Sequence, residues 1–98
     1  MYARVTTIVF GKEEEVDAGA LYRQVLPTVQ ALDGFKGMLV LSGDEDHSLL
    51  ALTLWQSAAC LTAAEPVLET VKQAETAYRQ VEAKQTARYA VAGSRLGL

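Results

Sequence analysis

The sequence is poor in the residues that build metal centres and disulfides. It has one cysteine, one histidine and no asparagine among 98 residues. Cys60 cannot form an internal disulfide, and one cysteine with one distant histidine cannot supply matched zinc or haem ligands. Glycine-rich phosphate loops of the Walker and dinucleotide-binding types are also missing. We therefore expect no metal ion and no other cofactor.

Basic clusters and long hydrophobic runs are absent too. Nine Lys and Arg residues are scattered among twelve acidic ones, giving a net charge of −3, so nucleic acid is not an expected partner. The longest apolar stretch, around residues 49–54, is far shorter than the roughly 18 residues of a membrane span, so no membrane partner is expected. The first ten residues do not follow a signal-peptide pattern, which predicts a cytoplasmic protein.

What the sequence does contain is enough apolar material for one domain. Half of the residues are apolar and 21% are charged, a balance typical of globular proteins, and the length suits a single core. We expect one domain over residues 1–92. Residues 93–98 should form a tail that either frays or reaches a partner subunit.

The first half of the chain predicts a strand, a helix and a hairpin. Residues 2–10 are β-branched and aromatic, as in a strand. Residues 12–32 change to a helical spacing of apolar side chains, with Pro27 expected to kink the helix and Gly34 to end it. The members of that stripe are Ala18, Leu21, Tyr22, Val25, Val29 and Leu32. Residues 35–41 and 47–55 then predict two antiparallel strands joined by a short polar loop.

The second half predicts a helix and a last strand. Ser57 is a candidate N-cap, and residues 58–64 can form a helical turn. Pro66 should restart the helix as its first residue, giving a second long helix over residues 66–83. Its expected inward stripe is Val67, Val71, Ala74, Tyr78 and Val81. Residues 85–92 alternate as a strand does.

The resulting order is β-α-β-β-α-β, an α+β ferredoxin-like fold with a four-stranded antiparallel sheet and both helices on one face. Right-handed crossovers should place strand one beside strand three and strand four beside strand two. Strands one to three carry apolar residues on both faces, whereas a sheet solvated on one side alternates with polar residues. The helix-free face therefore predicts a two-fold homodimer through the sheets, a dimeric α+β barrel.

Short motifs at the strand ends resemble those of a known family. Gly34-Phe35-Lys36-Gly37 leads into the second strand, Trp55-Gln56-Ser57 ends the third, and Tyr89 lies in the fourth. In these features the chain resembles the antibiotic-biosynthesis-monooxygenase-like family of dimeric α+β barrels. The resemblance implies a pocket between the sheet and the helices. Some members oxidise polycyclic phenols or anthrones with dioxygen and no cofactor, others degrade haem, and many have no known activity.

The haem-degrading branch of that family is not a match. Its members resemble one another in an Asn on strand one, a second Trp after the Trp-x-Ser motif and a haem-ligating His further along that helix. The nearest positions here are Ala3, Ala64 and Ala74. We therefore do not expect haem degradation.

Five residues are candidates for lining the pocket: Trp55, Tyr22, Tyr78, Arg4 and Arg88. The indole of Trp55 can stack on an aromatic ligand or anchor the core, and the two tyrosines of the helical stripes can bind a phenolate or fill the core. Arg4 and Arg88, expected on the two edge strands and apart from each other, can hold an anionic oxygen or form salt bridges across a dimer.

Two functions follow from this sequence. One is a cofactor-independent monooxygenase that acts on a small aromatic molecule in the pocket. The alternative is a ligand-binding or structural module of the same fold without enzymatic activity. The residues identify no catalytic set that decides between them.

Overall fold

The computed structural model describes residues 1–95 and has the predicted order of elements. These are β1 (Tyr2–Phe10), α1 (Ala18–Gln30), β2 (Phe35–Ser42), β3 (Ser48–Trp55), α2 (Ala58–Thr76) and β4 (Val81–Ala90). The four strands form one antiparallel sheet, so the ferredoxin-like fold is confirmed. Part of the predicted tail, residues 96–98, lies outside the described residues.

The strand order across the sheet is β2-β3-β1-β4. Strand β1 lies beside β3, as predicted, but β4 does not lie beside β2. It pairs with β1 from Tyr2 opposite Ala90 to Phe10 opposite Val81. Because β3 runs opposite to β1, its right-handed crossover moves in the opposite direction along the sheet, passes over β1 and places β4 at the far edge.

Helix α1 is shorter than predicted at both ends, because it runs from Ala18 to Gln30 and its C-cap is Ala31, so Gly34 does not end it. The Asp17 side chain caps it by accepting a hydrogen bond from the Ala20 amide at 3.0 Å, so the acidic residues 13–15 precede the helix. The helix continues through Pro27. Beyond it, Gly34 has a φ of +81°, and a Cβ there would lie 2.5 Å from Cys60 Sγ. Glycine is required at this turn for both its conformation and its size.

Helix α2 begins earlier and ends earlier than predicted. Ser57 caps it, with its Oγ accepting from the Cys60 amide at 3.1 Å, and the helix runs unbroken through Pro66 to Thr76. The prediction of a helix over residues 66–83 is therefore wrong at both ends, and residues 81–83 belong to β4. Pro66 is exposed, so the one backbone hydrogen bond it removes lies on the solvent side, and packing on both sides of it holds the helix together.

The buried face of α2 is also different from the predicted stripe. It consists of Leu61, Ala64, Leu68 and Thr76. The predicted new helix at Pro66 separated the first two of these residues from the last two. Val71 packs against the core as expected, but Ala74 is exposed. Tyr78 follows the end of the helix and is fully exposed.

The two faces of the sheet have different surroundings. The face toward α1 and α2 holds the core, in which Trp55 and Val29 are almost completely buried. The opposite side, called here the helix-free face, is covered by neither helix. Strand register and alternation place the following apolar residues on it: Val5, Val9, Leu39, Leu41, Leu50, Leu52, Leu54, Ala83, Ala87 and Tyr89. All of these are half-buried or exposed in the single chain.

Candidate functional site

A cavity of about 60 Å³ lies between the sheet and the two helices. We call it the central cavity. Its apolar walls are Ile8, Phe10, Leu21, Val25, Val29, Met38, Leu49, Ala51, Leu68 and Val71. Its polar lining comes from β1, β3 and the second half of α2, and consists of Arg4, Thr6, Thr53, Lys72, Glu75 and Thr76.

Arg4 is the central polar residue of this lining. It lies on β1 with a side chain that is only 7% exposed. Its Nε donates to Glu65 Oε2 and its Nη2 to Glu69 Oε2, both at 3.0 Å, and its Nη1 donates to Thr6 Oγ1 at 3.2 Å. Two carboxylates from α2 therefore offset the charge of a guanidinium that borders an otherwise apolar cavity.

The network continues from Glu69 toward β4. Lys72 Nζ lies 2.7 Å from Glu69 Oε1 and donates to Thr86 Oγ1 at 3.3 Å, while the hydroxyls of Thr86 and Thr6 share a hydrogen bond of 3.1 Å. The Lys72 hydrogen bond is the main cause that lowers the pKa of Glu69 below its ordinary value, and Arg4 adds to it. Glu69 is therefore ionised at neutral pH, and the network stays charged.

The α2 members of this network were missed by the sequence analysis. Glu65, Glu69, Lys72 and Thr76 follow one another at helical spacing, i, i+4, i+7 and i+11. This polar stripe runs beside the apolar one, and its helical spacing predicts a second, polar face of α2. The prediction that a new helix starts at Pro66 hid this spacing, because Glu65 then lies outside the helix.

The two arginines are neighbours, contrary to prediction. Strand β1 is an interior strand, and Arg4 lies directly opposite Arg88 of the edge strand β4. The Arg88 guanidinium donates to Thr62 Oγ1 at 3.1 Å and to the Ala58 carbonyl at 3.2 Å. Arg88 thus ties β4 to the first turns of α2, and it does not border the central cavity.

The three candidate aromatic residues do not converge on the cavity. Trp55 is fully buried, donates from Nε1 to Thr53 Oγ1 at 2.9 Å, and packs edge-to-face against Phe35 at 5.7 Å between ring centroids. Tyr22 borders a shallow groove between α1 and β2, next to Leu39. The prediction that Tyr78 points toward the sheet is wrong, since the helix ends before it.

Within residues 1–95, no three His, Cys, Asp or Glu side chains come close enough to hold a metal ion. None of the helices that the structure describes is long and apolar enough to cross a membrane.

Comparisons based on sequence alone find no relative. No protein-family model matches the chain, and no curated protein matches it.

Solved structures, in contrast, match nearly the whole chain. SnoaB, a cofactor-independent oxygenase from Streptomyces nogalater, has a TM-score of 0.72 at 11% identity, over 95% of this chain and 94% of its own. A monooxygenase from the ActVA-Orf6 gene of Streptomyces coelicolor, in complex with nanaomycin D, has a TM-score of 0.67 at 13% identity, over 99% of this chain and 92% of its own. A variant of MhuD with two manganese protoporphyrin IX groups bound per active site has a TM-score of 0.70 at 16% identity, over 99% of this chain and 100% of its own. Other matching structures carry the name antibiotic biosynthesis monooxygenase, and the chain has the fold of these proteins, as its motifs indicated.

Proposed function

We propose that this protein is a homodimer that binds a small aromatic or apolar molecule in the central cavity of each subunit. The dimer would form through the helix-free face. Leu39 is 36% exposed there, and Leu41 and Tyr89 are 51% and 56% exposed. A continuous apolar sheet face in water is an aggregation hazard unless another surface covers it, and a second copy offers the same face with two-fold symmetry.

The observation that carries the ligand proposal is the buried Arg4 beside the central cavity. The guanidinium has five N–H donors, and three of its hydrogen bonds go to Glu65, Glu69 and Thr6. A ligand carbonyl or hydroxyl oxygen in the cavity could take a remaining donor. Because carboxylates already offset the positive charge, an uncharged polar group suits this position better than a carboxylate.

The activity we propose to test is oxidation by dioxygen without a cofactor. In such a reaction, a CH₂ group between two aromatic rings loses a proton, and the carbanion reacts with dioxygen. That carbon becomes a carbonyl, and the second oxygen atom leaves as water. Glu75, which borders the cavity, could accept the proton, and a remaining N–H donor of Arg4 could hydrogen-bond the substrate's carbonyl oxygen as negative charge spreads to it from the carbanion.

The alternative is a ligand-binding or structural module without turnover, and the size of the cavity favours it. Small-molecule sites have volumes of about 300–1,000 Å³, whereas this cavity has about 60 Å³. A substrate with several rings would fit only if the cavity enlarged. A smaller apolar molecule would need less rearrangement.

Oxygen uptake with anthrone as substrate separates the two functions. An oxygenase should consume one dioxygen per anthraquinone formed, and Arg4→Met should lower the rate at least tenfold. Arg88→Met is the matched control, since Arg88 lies beside Arg4 but outside the cavity, and it should leave the rate unchanged. Saturable binding of anthrone without uptake would favour the alternative. If neither anthrone nor a single-ring phenol binds or causes oxygen consumption, the proposed ligand site is wrong.

A further inference from the structure

A second pocket lies at one end of the sheet, next to the β2–β3 hairpin. We call it the hairpin pocket. It has a volume of about 180 Å³, and its outer rim includes the exposed residues Ser42, Asp44 and His47. Its inner wall includes Phe10 and Leu49, and the same two residues also line the central cavity. The two spaces are therefore adjacent, and these two residues, called here the partition, lie between them.

Both partition residues are buried, and Phe10 has two further contacts. Phe10 and Leu49 are each only 3% exposed, and the Phe10 amide donates to the His47 carbonyl at 3.0 Å. On the other side, the Arg79 guanidinium lies 6.0 Å from the centre of the Phe10 ring. Arg79 is itself held by the Glu75 carbonyl at 3.1 Å and by Glu14 Oε1 at 3.5 Å.

We infer that Phe10 and Leu49 determine the size of ligand that the central cavity accepts, because they separate it from the hairpin pocket. This inference rests on the proposed use of the cavity as a ligand site. Even together, the two spaces fall short of the roughly 300 Å³ typical of small-molecule sites, and displacement of the Phe10 ring would add the volume that the ring vacates. Joined by displacement of the Phe10 ring, they form a single slot that is apolar around the partition and polar at both ends, at Arg4 inside and at the hairpin outside. Such a slot suits an elongated molecule with an apolar middle, one polar group at Arg4 and another at the hairpin.

Two apolar probes of different size test the partition. Xenon and benzene both enter dry apolar cavities in proteins when space allows. In the unmodified chain we expect xenon to bind and benzene to bind weakly. Phe10→Ala and Leu49→Ala should each lower the Kd for benzene at least tenfold, as followed by NMR titration. Phe10→Leu is the milder variant for the case in which Phe10→Ala fails to fold, and it should have an intermediate Kd.

Phe35→Ala is the matched control. It removes the same atoms from a half-buried ring that packs on Trp55 and borders neither space, so its benzene Kd should equal that of the unmodified chain. If the folded Phe10 and Leu49 variants bind benzene no better than this control while xenon still binds, these two residues do not limit the size of the ligand. The central cavity then remains the proposed ligand site. If xenon and benzene bind to none of the chains, the proposed ligand site itself fails.

Discussion

The charged residues of the sheet lie mainly on the face that the helices cover, and the open face has few. On the helix-covered face, β1 and β4 carry Arg4, Lys84 and Arg88, whereas the helix-free face has no charged residue at the positions paired with Ala3 to Val9. A sheet with one face in water normally places its charges on that open face. This distribution suggests that another surface covers the helix-free face, and Arg4 and Arg88 on the other face have defined partners on α2.

The strongest test of the helix-covered face as a closed core is Trp55→Ala. Trp55 is fully buried and has both a ring partner and a hydrogen-bond acceptor. Removing a buried Trp side chain should lower the free energy of unfolding by about 3–5 kcal/mol. Urea denaturation at fixed protein concentration measures it. Tyr78→Ala, at a fully exposed position, should change it by less than about 0.5 kcal/mol. Equal losses in the two variants would contradict the core assignment.

Leu52→Lys tests the helix-free face. Leu52 lies between Val5 and Leu39 near the middle of that face, where an unpaired lysine would be buried by a partner subunit. Because burying an unpaired charge is costly, we expect the dimer to weaken by roughly a hundredfold or more, so that sedimentation detects monomers. Gln73→Lys adds the same charge at an exposed position on α2 and should leave the mass unchanged. If the Leu52→Lys variant sediments with the same mass as this control, the proposed interface is wrong.

Arg4→Met distinguishes the two arginines under α2. The substitution leaves Glu65 and Glu69 without their shared partner. We expect a loss of about 1–3 kcal/mol in the free energy of unfolding, less than for a fully buried pair because Glu69 is 46% exposed. Arg88→Met, which breaks contacts that are exposed, should cost about 1 kcal/mol or less. The account is wrong if Arg88→Met costs as much as Arg4→Met.

The smallest effect concerns pH. The pKa of Glu69 is lowered from 4.5, mainly by Lys72, so its contribution to stability is present above pH 4.5 and is lost as the pH falls through its folded-state pKa. Lys72→Met should therefore cost a few tenths of a kcal/mol at pH 6 and less at pH 3, since the pair is partly exposed. Lys84→Met is the control, and its cost should not depend on pH in this way. A Lys72→Met cost that stays constant with pH would contradict the assignment.

The sequence predicted the fold more completely than the site. Periodicity located all six elements and the buried face of α1, because Leu21, Val25 and Val29 repeat without interruption. It misplaced α2, since local proline rules favoured a new helix at Pro66 while packing on both sides of it favours a continuous one. This error also concealed the candidate site. Arg4 meets Glu65 and Glu69 across more than 60 positions of sequence, and only the phase of α2 above β1 brings them together.

Sedimentation velocity of the unmodified chain at micromolar concentration tests the central claim most directly. The account predicts one species with twice the chain mass of 10.6 kDa, because only a second copy covers the apolar helix-free face. A single species of 10.6 kDa across the concentration range would mean that this face stays open to water, and it would contradict the proposed barrel assembly.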